Sequence, residues 1–206
     1  MSPDVAGCHG GRVPTASKAE LRARILSARR ATTAAEHDAD AQALAAHLPA
    51  LVVAGQTVCA YVPVGSEPGS VAMLDALSAL GVRVLLPVAR EDPAAVALPL
   101  SWGEYRVGVL VEARYGLLEP PPPWLPADTV ATAALVLVPA LAVDRTGTRL
   151  GRGAGFYDRT LRLADPAARL TAVVRDDELV DRLPAESHDV PMTHALTPRG
   201  GLTALG

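Results

Sequence analysis

The apolar positions near the start of the chain have helical spacing and follow recognisable helix caps. Ser17 and Glu20 have the spacing of a capping box, in which each side chain satisfies a backbone amide of the first helical turn. This spacing predicts a first helix of about fourteen residues that begins at Lys18. Thr33 and Glu36 repeat the device before a second apolar stripe, which predicts a second helix that ends before the proline at position 49.

From residue 57 onward, short apolar runs alternate with segments of helical spacing. Runs 57–62 and 82–88 are typical of buried strands, and the helical segment 71–80 between them is followed by Gly81, a common helix stop. Strand, helix and strand in this order predict a parallel crossover unit. In the proline-rich stretch 89–132 we predict mostly short strands and loops. The later pattern predicts strands at 134–139, 169–174 and 194–196, and a helix at 156–164.

These elements predict an α/β fold with a mostly parallel sheet flanked by helices. Half of the 206 residues are apolar, which is enough for a sizeable core in one domain, residues 17–206. Residues 1–16 are rich in Gly and Pro and lack the apolar run of a signal peptide, so we interpret them as a disordered tail. The most apolar segment, 134–143, is half the length of a membrane span, so no membrane partner is expected.

Charge and cysteine content narrow the possible function further. The formal net charge is −3, whereas a general nucleic-acid binder needs a broad basic face, so no nucleic-acid partner is expected and any anion site is local. Cys8 and Cys59 resemble neither a metal ligand set nor a disulfide framework. We therefore expect a cytoplasmic protein, and we expect it to be a monomer.

A glycine-rich segment between the strand at 134–139 and the following helix carries the candidate chemistry. Glycine backbone can approach an oxyanion closely, and a helix that begins just beyond adds favourable dipole and amide interactions. Asp158 lies within the first turn of that helix, where a carboxylate beside a polyphosphate is a natural magnesium ligand. The alternative is a mobile turn with solvated arginines. The glycines and arginines concerned are Gly147, Gly151, Gly153, Gly155, Arg145, Arg149, Arg152 and Arg159.

Residues 149–159, RLGRGAGFYDR, resemble the signature of the 5-formyltetrahydrofolate cyclo-ligases, also called methenyltetrahydrofolate synthetases. The resemblance covers most of 18–197, because KAELR, YVPVGSE, GLLEP, the signature and ESHDV occur in the family's order. It implies a fold similar to the NagB/RpiA/CoA-transferase-like fold. It also implies that ATP and Mg²⁺ serve to close 5-formyltetrahydrofolate into 5,10-methenyltetrahydrofolate, with release of ADP and phosphate.

The resemblance also implies roles for individual residues. ATP would contact Lys18, Arg22, Arg149, Leu150, Gly151, Arg152, Gly153, Ala154, Gly155, Phe156 and Tyr157. Reduced folate would contact Val62, Glu67, Arg152, Gly153, Ala154, Gly155 and Phe156. Mg²⁺ would be held by Asp158 and Asp189, and the catalytic residues would be Arg149, Arg152 and Tyr157. Lys18 and Arg22 lie one helical turn apart, so both could touch one polyphosphate; the alternative is a solvated helix face.

Other positions leave the interpretation open. Trp102 and Trp124 either stack on a pterin or pack in the core and loops, and Glu119 serves either binding or structure. The segment PGS after Glu67 and the alanine at 154 depart from the family's pattern. Two alternatives therefore stand beside the cyclo-ligase. One is an enzyme of similar fold acting on phosphosugars or acyl-CoA, and the other is a folate- or nucleotide-binding protein without turnover.

Overall fold

The computed structural model describes residues 16–113, 116–186 and 189–206. The predicted disordered tail lies almost entirely outside this range, at 1–15. Four α-helices occur in the described residues: α1 Lys18–Ala31, α2 Ala34–His47, α3 Val71–Ala79 and α4 Phe156–Thr160. Short 3-10 turns are Leu48–Ala50, Ala127–Thr132, Leu161–Leu163 and Asp176–Glu178.

Both predicted capping boxes are confirmed. Ser17 accepts a hydrogen bond from the Glu20 amide, while the Glu20 carboxylate accepts one from the Ser17 amide at 2.8 Å. Thr33 and Glu36 form the same pair of hydrogen bonds at the start of α2. The hydrogen bond from the backbone amide of the capping residue lowers the pKa of Glu20 and of Glu36. Each cap fixes where its helix begins, which is why α1 and α2 match the predicted starts.

Twelve strands form three sheets within the described part of the chain. In order they are β1 Thr57–Cys59, β2 Arg83–Val88, β3 Ser101–Glu104, β4 Val111–Glu112, β5 Leu118–Glu119, β6 Ala133–Pro139, β7 Ala142–Asp144, β8 Arg149–Leu150, β9 Arg169–Val173, β10 Leu179–Val180, β11 His194–Thr197 and β12 Gly201–Ala204. The main sheet has the order β12-β11-β9-β6-β1-β2-β3. Its five inner strands are parallel, and the edge strands β12 and β3 are antiparallel to their neighbours.

Strand β6 shows how the sheet separates two apolar cores. Leu135 and Leu137 face a cluster built with α2 and α3, whereas Val136 and Val138 face a second cluster that includes the turn after α4. Successive side chains of a strand point to opposite faces, so a continuous apolar run is buried on both sides. The α/β fold with a mostly parallel sheet flanked by helices is therefore confirmed.

A third, smaller cluster attaches helix α1 to the small sheet β10-β7-β8. Leu21, Ile25 and Leu26 of α1 pack against the hairpin β7-β8, which includes the buried Leu150. This packing places the basic positions of α1 beside the glycine-rich segment. No helix of the described residues is long and apolar enough to cross a membrane.

Some predicted boundaries are wrong for local reasons. The first strand ends at Cys59 rather than at 62, because the chain leaves the sheet after the Ala60 amide bonds the Leu85 carbonyl. Helix α4 ends at Thr160 and continues as a 3-10 turn through Leu163. Strand β12 was not predicted, since a short edge strand with glycine and threonine has no apolar run to reveal it.

Candidate active site

The principal cavity, of about 750 Å³, lies where several parallel strands of the main sheet end. Val62 and Glu67 follow β1, Arg90 follows β2, and Pro139 is the last residue of β6. Segment 151–158 forms one wall, and residues 117–119 line another part of the cavity. Ligands of open α/β sheets bind in this kind of crevice, outside the carboxyl ends of the strands.

The glycine-rich segment is held at its base by a buried carboxylate. Both amides that close the β7-β8 turn, those of Thr146 and Thr148, donate to Asp144 Oδ1 at 2.9 Å, and the Leu183 amide donates to Oδ2 at 2.9 Å. Burial by itself would raise the pKa of Asp144, but the hydrogen bonds, led by that from the Thr146 hydroxyl, lower it. Gly147 closes the turn with φ of +90°, and a Cβ there would lie 2.4 Å from the Met192 carbonyl oxygen.

Beyond β8 the chain passes helix α1 and then enters α4 along the cavity wall. Arg22 Nε donates to the Gly151 carbonyl at 2.9 Å, and a Cβ on Gly153 would come within 3.6 Å of the Arg22 guanidinium. Gly153 and Gly155 have φ values of +102° and +79°, in the left-handed region that only glycine adopts without strain. Glycine at these positions therefore keeps the backbone close to both the cavity and α1.

Arg149, Tyr157 and Asp158 form a charged cluster in the same wall. Arg149 Nη2 donates to Asp158 Oδ1 at 2.5 Å, and its guanidinium lies 5.7 Å from the centre of the Tyr157 ring. Among the described residues, neither the buried Arg149 Nε nor the Tyr157 hydroxyl has a hydrogen-bond partner. Burial raises the pKa of Tyr157 well above its usual value, so this phenol stays protonated. The cluster thus presents two unused polar groups beside the cavity.

A second ion pair joins the loop after β1 (residues 60–70, called the β1 loop) to the glycine-rich segment. Arg152 Nε donates to Glu67 Oε1 at 3.0 Å, while Glu67 Oε2 accepts from the Val64 amide at 3.0 Å. The Arg152 side chain is 50% exposed and that of Glu67 only 11%. Pro68, the first residue of the PGS segment, accepts a hydrogen bond from the buried Tyr61 hydroxyl at 2.6 Å. The carboxylate is therefore held firmly, and the arginine has room to move.

The two predicted metal ligands occupy different environments. Asp158 lines the cavity, whereas Asp189 does not line it and accepts a hydrogen bond from Lys18 Nζ at 3.0 Å. Lys18 also pairs with Glu186 at 3.2 Å and, like Arg22, is not part of the cavity lining. The described residues contain no group of three or more His, Cys, Asp or Glu side chains that could hold a metal ion by themselves.

Sequence reasoning missed Arg90, which lines the cavity after β2. Its guanidinium makes a bidentate ion pair with Glu119, at 3.0 and 2.7 Å, and lies 4.2 Å from the Trp124 ring centre. Its place directly after a predicted parallel strand was the signal that could have identified it. Trp102 is fully buried in the core, whereas Trp124 contacts Arg90; neither tryptophan is part of the described cavity lining.

The described lining of the cavity contains no serine, cysteine or histidine. Cys59, in β1, is fully buried, and burial raises the pKa of its thiol to about 12. A thiol in that state is a poor nucleophile. The wall chemistry is therefore that of cations, carboxylates and backbone amides, which suits binding and neutralising a phosphorylated ligand.

Comparison with known proteins identifies the family. Residues 14–198 match the model of the 5-formyltetrahydrofolate cyclo-ligase family. A 5-formyltetrahydrofolate cyclo-ligase of Mycolicibacterium smegmatis is 62% identical over 189 residues, which cover 92% of this chain and 97% of that protein. A 5-formyltetrahydrofolate cyclo-ligase of Escherichia coli K12 is 30% identical over 148 residues, covering 71% of this chain and 80% of the relative.

Two solved structures share the fold at lower identity. A 5,10-methenyltetrahydrofolate synthetase from Mycoplasma pneumoniae has a TM-score of 0.66 at 19% identity, covering 86% of this chain and 96% of that one. The Aquifex aeolicus 5,10-methenyltetrahydrofolate synthetase has a TM-score of 0.69 at 21% identity, covering 91% and 92%. Because residues 14–198 match the family model and the Mycolicibacterium smegmatis relative is 62% identical, the chain belongs to the 5-formyltetrahydrofolate cyclo-ligase family.

Proposed function

We propose that this protein uses ATP and Mg²⁺ to convert 5-formyltetrahydrofolate into 5,10-methenyltetrahydrofolate, ADP and phosphate. The observation that carries the proposal is the glycine segment 151–155, which brings backbone and arginine side chains to one wall of a large cavity at the sheet's carboxyl edge. Family membership supports the same activity. The cavity is large enough for a small-molecule substrate, because ligand pockets typically measure about 300–1,000 Å³.

The reaction needs activation of an unreactive group. The N5-formyl group is amide-like, so its carbon is a poor electrophile and its oxygen a poor leaving group. In the proposed sequence the formyl oxygen attacks the γ-phosphorus of ATP and ADP departs, leaving an iminium phosphate. N10 then attacks the formyl carbon, the C–O bond breaks and phosphate leaves. N10 loses its proton, for which the departing phosphate is a suitable base.

Such a sequence requires positioning and charge neutralisation rather than a protein nucleophile. Arg149 and Arg152, which both line the cavity, are proposed to stabilise the transferring phosphoryl group. The neutral Tyr157 hydroxyl beside the cavity is proposed to donate to the same group. The backbone of 150–157 is proposed to cradle the ATP phosphates, with Lys18 and Arg22 of α1 supporting it through the contacts described above.

Magnesium fits this site as an ion shared between the protein and the nucleotide. Mg²⁺ is usually bound through one or two carboxylates together with phosphates and water, so a complete protein ligand set is not needed. Asp158 lines the cavity with its side chain 26% exposed and is proposed as the direct ligand. Asp189 is proposed as the second carboxylate. When bound, the ion would neutralise phosphate charge.

The folate is proposed to occupy the part of the cavity next to the β1 loop. Val62 and Glu67 line it there, and residues 152–156 line the adjoining part, where Arg152 contacts Glu67. Binding of the two substrates would separate Arg152 from Glu67, because phosphate oxygens and pterin N–H groups compete for these partners. The Arg152–Glu67 ion pair thus holds both groups near their proposed working positions.

We further propose that the protein acts as a monomer in the cytoplasm. Cys59 carries a free, buried thiol, which is typical of proteins from reducing compartments. Light scattering coupled to size-exclusion chromatography would test the monomer, and a dimer mass would contradict it.

One assay tests the activity directly. Purified protein with ATP, Mg²⁺ and 5-formyltetrahydrofolate should generate the near-ultraviolet chromophore of methenyltetrahydrofolate together with an equal amount of ADP. ADP formation that does not depend on folate would indicate a different phosphoryl acceptor. Ligand binding by a folded sample without either product would indicate a binding protein that lacks turnover.

A further inference from the structure

Arg90 lines the β2 side of the cavity, two strands away from β6. Arg90 follows β2, and β1 separates β2 from β6 in the sheet, so it lies about two strand spacings, roughly 10 Å, from the end of β6. Leu118 and Glu119 of β5 line the same side. One cavity therefore has an arginine at each side of the β1 loop, with different surroundings.

The hydrogen bonds of Arg90 leave one complete edge of its guanidinium unused. Arginine has five N–H donors. Nη1 donates to the Ala89 carbonyl at 2.7 Å and to Glu119 Oε2 at 3.0 Å, and Nη2 donates to Glu119 Oε1 at 2.7 Å. Two parallel donors remain, the Nε–H and the second Nη2–H, and neither has a hydrogen bond within the described chain. Together they form a fork of the kind that binds a carboxylate through two oxygens.

The orientation of this fork is fixed before any ligand arrives. Glu119 has a side-chain exposure of 13%, holds one edge of the guanidinium, and raises the pKa of Arg90 through its hydrogen bonds. The Trp124 ring covers one face of the guanidinium at 4.2 Å. The Arg90 side chain remains 41% exposed. A positioned cation with an open edge at a cavity needs little reorganisation to bind an anion.

We propose that the free Nε–Nη2 edge of Arg90 binds a carboxylate of the glutamate portion of the folate substrate. The inference rests on the proposed function, which places the N5-formyl group beside the ATP phosphates. The pterin then lies near the glycine segment, and the aminobenzoylglutamate extends along the cavity away from it. At the β2 side of the cavity, the Arg90 fork is a donor pair suited to a carboxylate. Glu91 also lines this side, but it is exposed, so solvent screens its repulsion.

The test compares two substrates that differ only in the glutamate. For wild type, kcat/KM with 5-formyltetrahydrofolate should exceed that with 5-formyltetrahydropteroate by about 10-fold, the lower range for a charge-assisted bidentate contact because Arg90 is partly exposed. Arg90→Lys keeps a cation for Glu119 but loses the fork, and it should reduce this ratio toward one. The change should come from a higher KM for the glutamate-bearing substrate, with kcat and the pteroate constants nearly unchanged.

Two further variants separate recognition from structure. Arg83→Lys is the matched control, since Arg83 is the first residue of β2, the strand that Arg90 follows, and has a side-chain exposure of 43% and an ion pair to Glu104, away from the cavity. It should leave the substrate ratio at the wild-type value. Glu91→Gln removes a nearby negative charge and should raise the ratio by about 2-fold.

The outcomes are distinguishable. A substrate ratio in Arg90→Lys equal to that of wild type, or equal losses with both substrates, would overturn the proposed contact, as would a wild type without preference. Calorimetry without ATP measures the affinities for the two substrates independently of turnover. If wild type bound the glutamate form about 10-fold more tightly and Arg90→Lys did not, the contact would stand even if no methenyl product formed and the proposed reaction failed.

Discussion

Two arginine–glutamate pairs, Arg29–Glu178 and Arg152–Glu67, differ in almost every physical property. Arg29 donates through Nε and Nη2 to both Glu178 oxygens at 2.7 Å, and the two side chains are 1% and 5% exposed. Its Nη2 also donates to the Ala140 carbonyl at 2.6 Å, directly after β6. Arg152 makes one hydrogen bond to Glu67 from a side chain that is half exposed.

The difference separates anchoring charges from binding charges. A buried pair that loses one partner leaves an uncompensated charge in a low-dielectric interior, so its loss is expressed mainly as lost stability. A partly exposed pair contributes little to stability because solvent screens it. The Arg29 pair fixes α1 against the end of β6 and the 3-10 turn Asp176–Glu178, whereas the charges of the cavity wall keep donors that a ligand can use.

The largest expected effect is a loss of stability when the buried Arg29–Glu178 pair is broken. Glu178→Gln should lower the free energy of unfolding by about 3–5 kcal/mol, because Arg29 would keep its charge without a carboxylate partner. Urea unfolding at neutral pH measures the change. Glu104→Gln, which removes the partner of the exposed Arg83, is the matched control and should change stability by less than about 1 kcal/mol. Equal losses in the two variants would mean that burial does not distinguish these pairs.

The next effect should appear mainly in turnover, with a smaller loss of stability. Asp158→Asn should reduce turnover by about 100-fold or more, because the proposed magnesium ligand loses its charge. Its free energy of unfolding should fall by about 1–3 kcal/mol, because the amide still accepts a hydrogen bond from Arg149 but leaves that buried guanidinium without a compensating carboxylate. Added Mg²⁺ should restore part of the activity.

The control for this variant is Asp181→Asn, which alters a 97% exposed carboxylate paired with Arg145. Turnover and unfolding should both stay at wild-type values. Near-normal turnover of Asp158→Asn at limiting Mg²⁺ would remove Asp158 from the proposed metal site.

A smaller effect is expected at Asp144, a buried carboxylate held by hydrogen bonds rather than by a cation. Asp144→Asn should cost about 1–3 kcal/mol, because an amide cannot accept on both sides and one donor would remain unsatisfied. The pKa of Asp144 is lower in the folded protein than in the unfolded chain. Its stabilising contribution is therefore complete above about pH 4 and is lost as pH falls through the folded-state pKa.

Unfolding measured across acidic pH checks the sign of this effect. The stability difference between wild type and Asp144→Asn should shrink as the solution is made more acidic. Asp176 also has a lowered pKa, but it is present in both proteins and cancels in the comparison. A difference that stays constant down to about pH 2 would show that the Asp144 carboxylate is not stabilised in the folded state.

The smallest expected effect is at the exposed start of α1. Ser17→Ala removes the hydroxyl that accepts a hydrogen bond from the Glu20 amide, and it should lower the free energy of unfolding by about 1 kcal/mol. Thermal unfolding would detect it, and Ser17→Asp, which restores a capping oxygen, should recover most of the loss. Turnover at saturating ATP should not change. A loss of several kcal/mol would mean that the start of α1 also supports the buried Arg29–Glu178 contact.

Local sequence predicted those parts of the fold that local chemistry controls. Both capping boxes, the Gly81 helix stop and the continuous apolar run of β6 were confirmed because each depends on neighbouring residues. The edge strand β12 and the early end of β1 escaped prediction. They depend on pairing with β11 and on where the chain leaves the sheet, which no local pattern encodes.

The candidate site was predicted unevenly for the same reason. The resemblance and glycine spacing identified segment 149–158, which the structure places largely on the cavity wall. Arg22 reaches this segment, but Lys18, one turn away, pairs with Asp189 instead. Arg90 was missed, because its partners Glu119 and Trp124 are about thirty positions away along the chain and meet it only in the folded sheet.

By itself, the sequence determined the helix starts, the buried strands, the glycine segment and the family, because caps, apolar periodicity and an ordered motif are short-range information. Only the tertiary structure decided which charges became anchors and which stayed open to a ligand. Arg29 and Arg152 have the same side chain, yet burial between α1 and the sheet fixes one, while the cavity leaves the other half exposed. Their difference is in solvent exposure and in the number of donors already used, and both quantities exist only after folding.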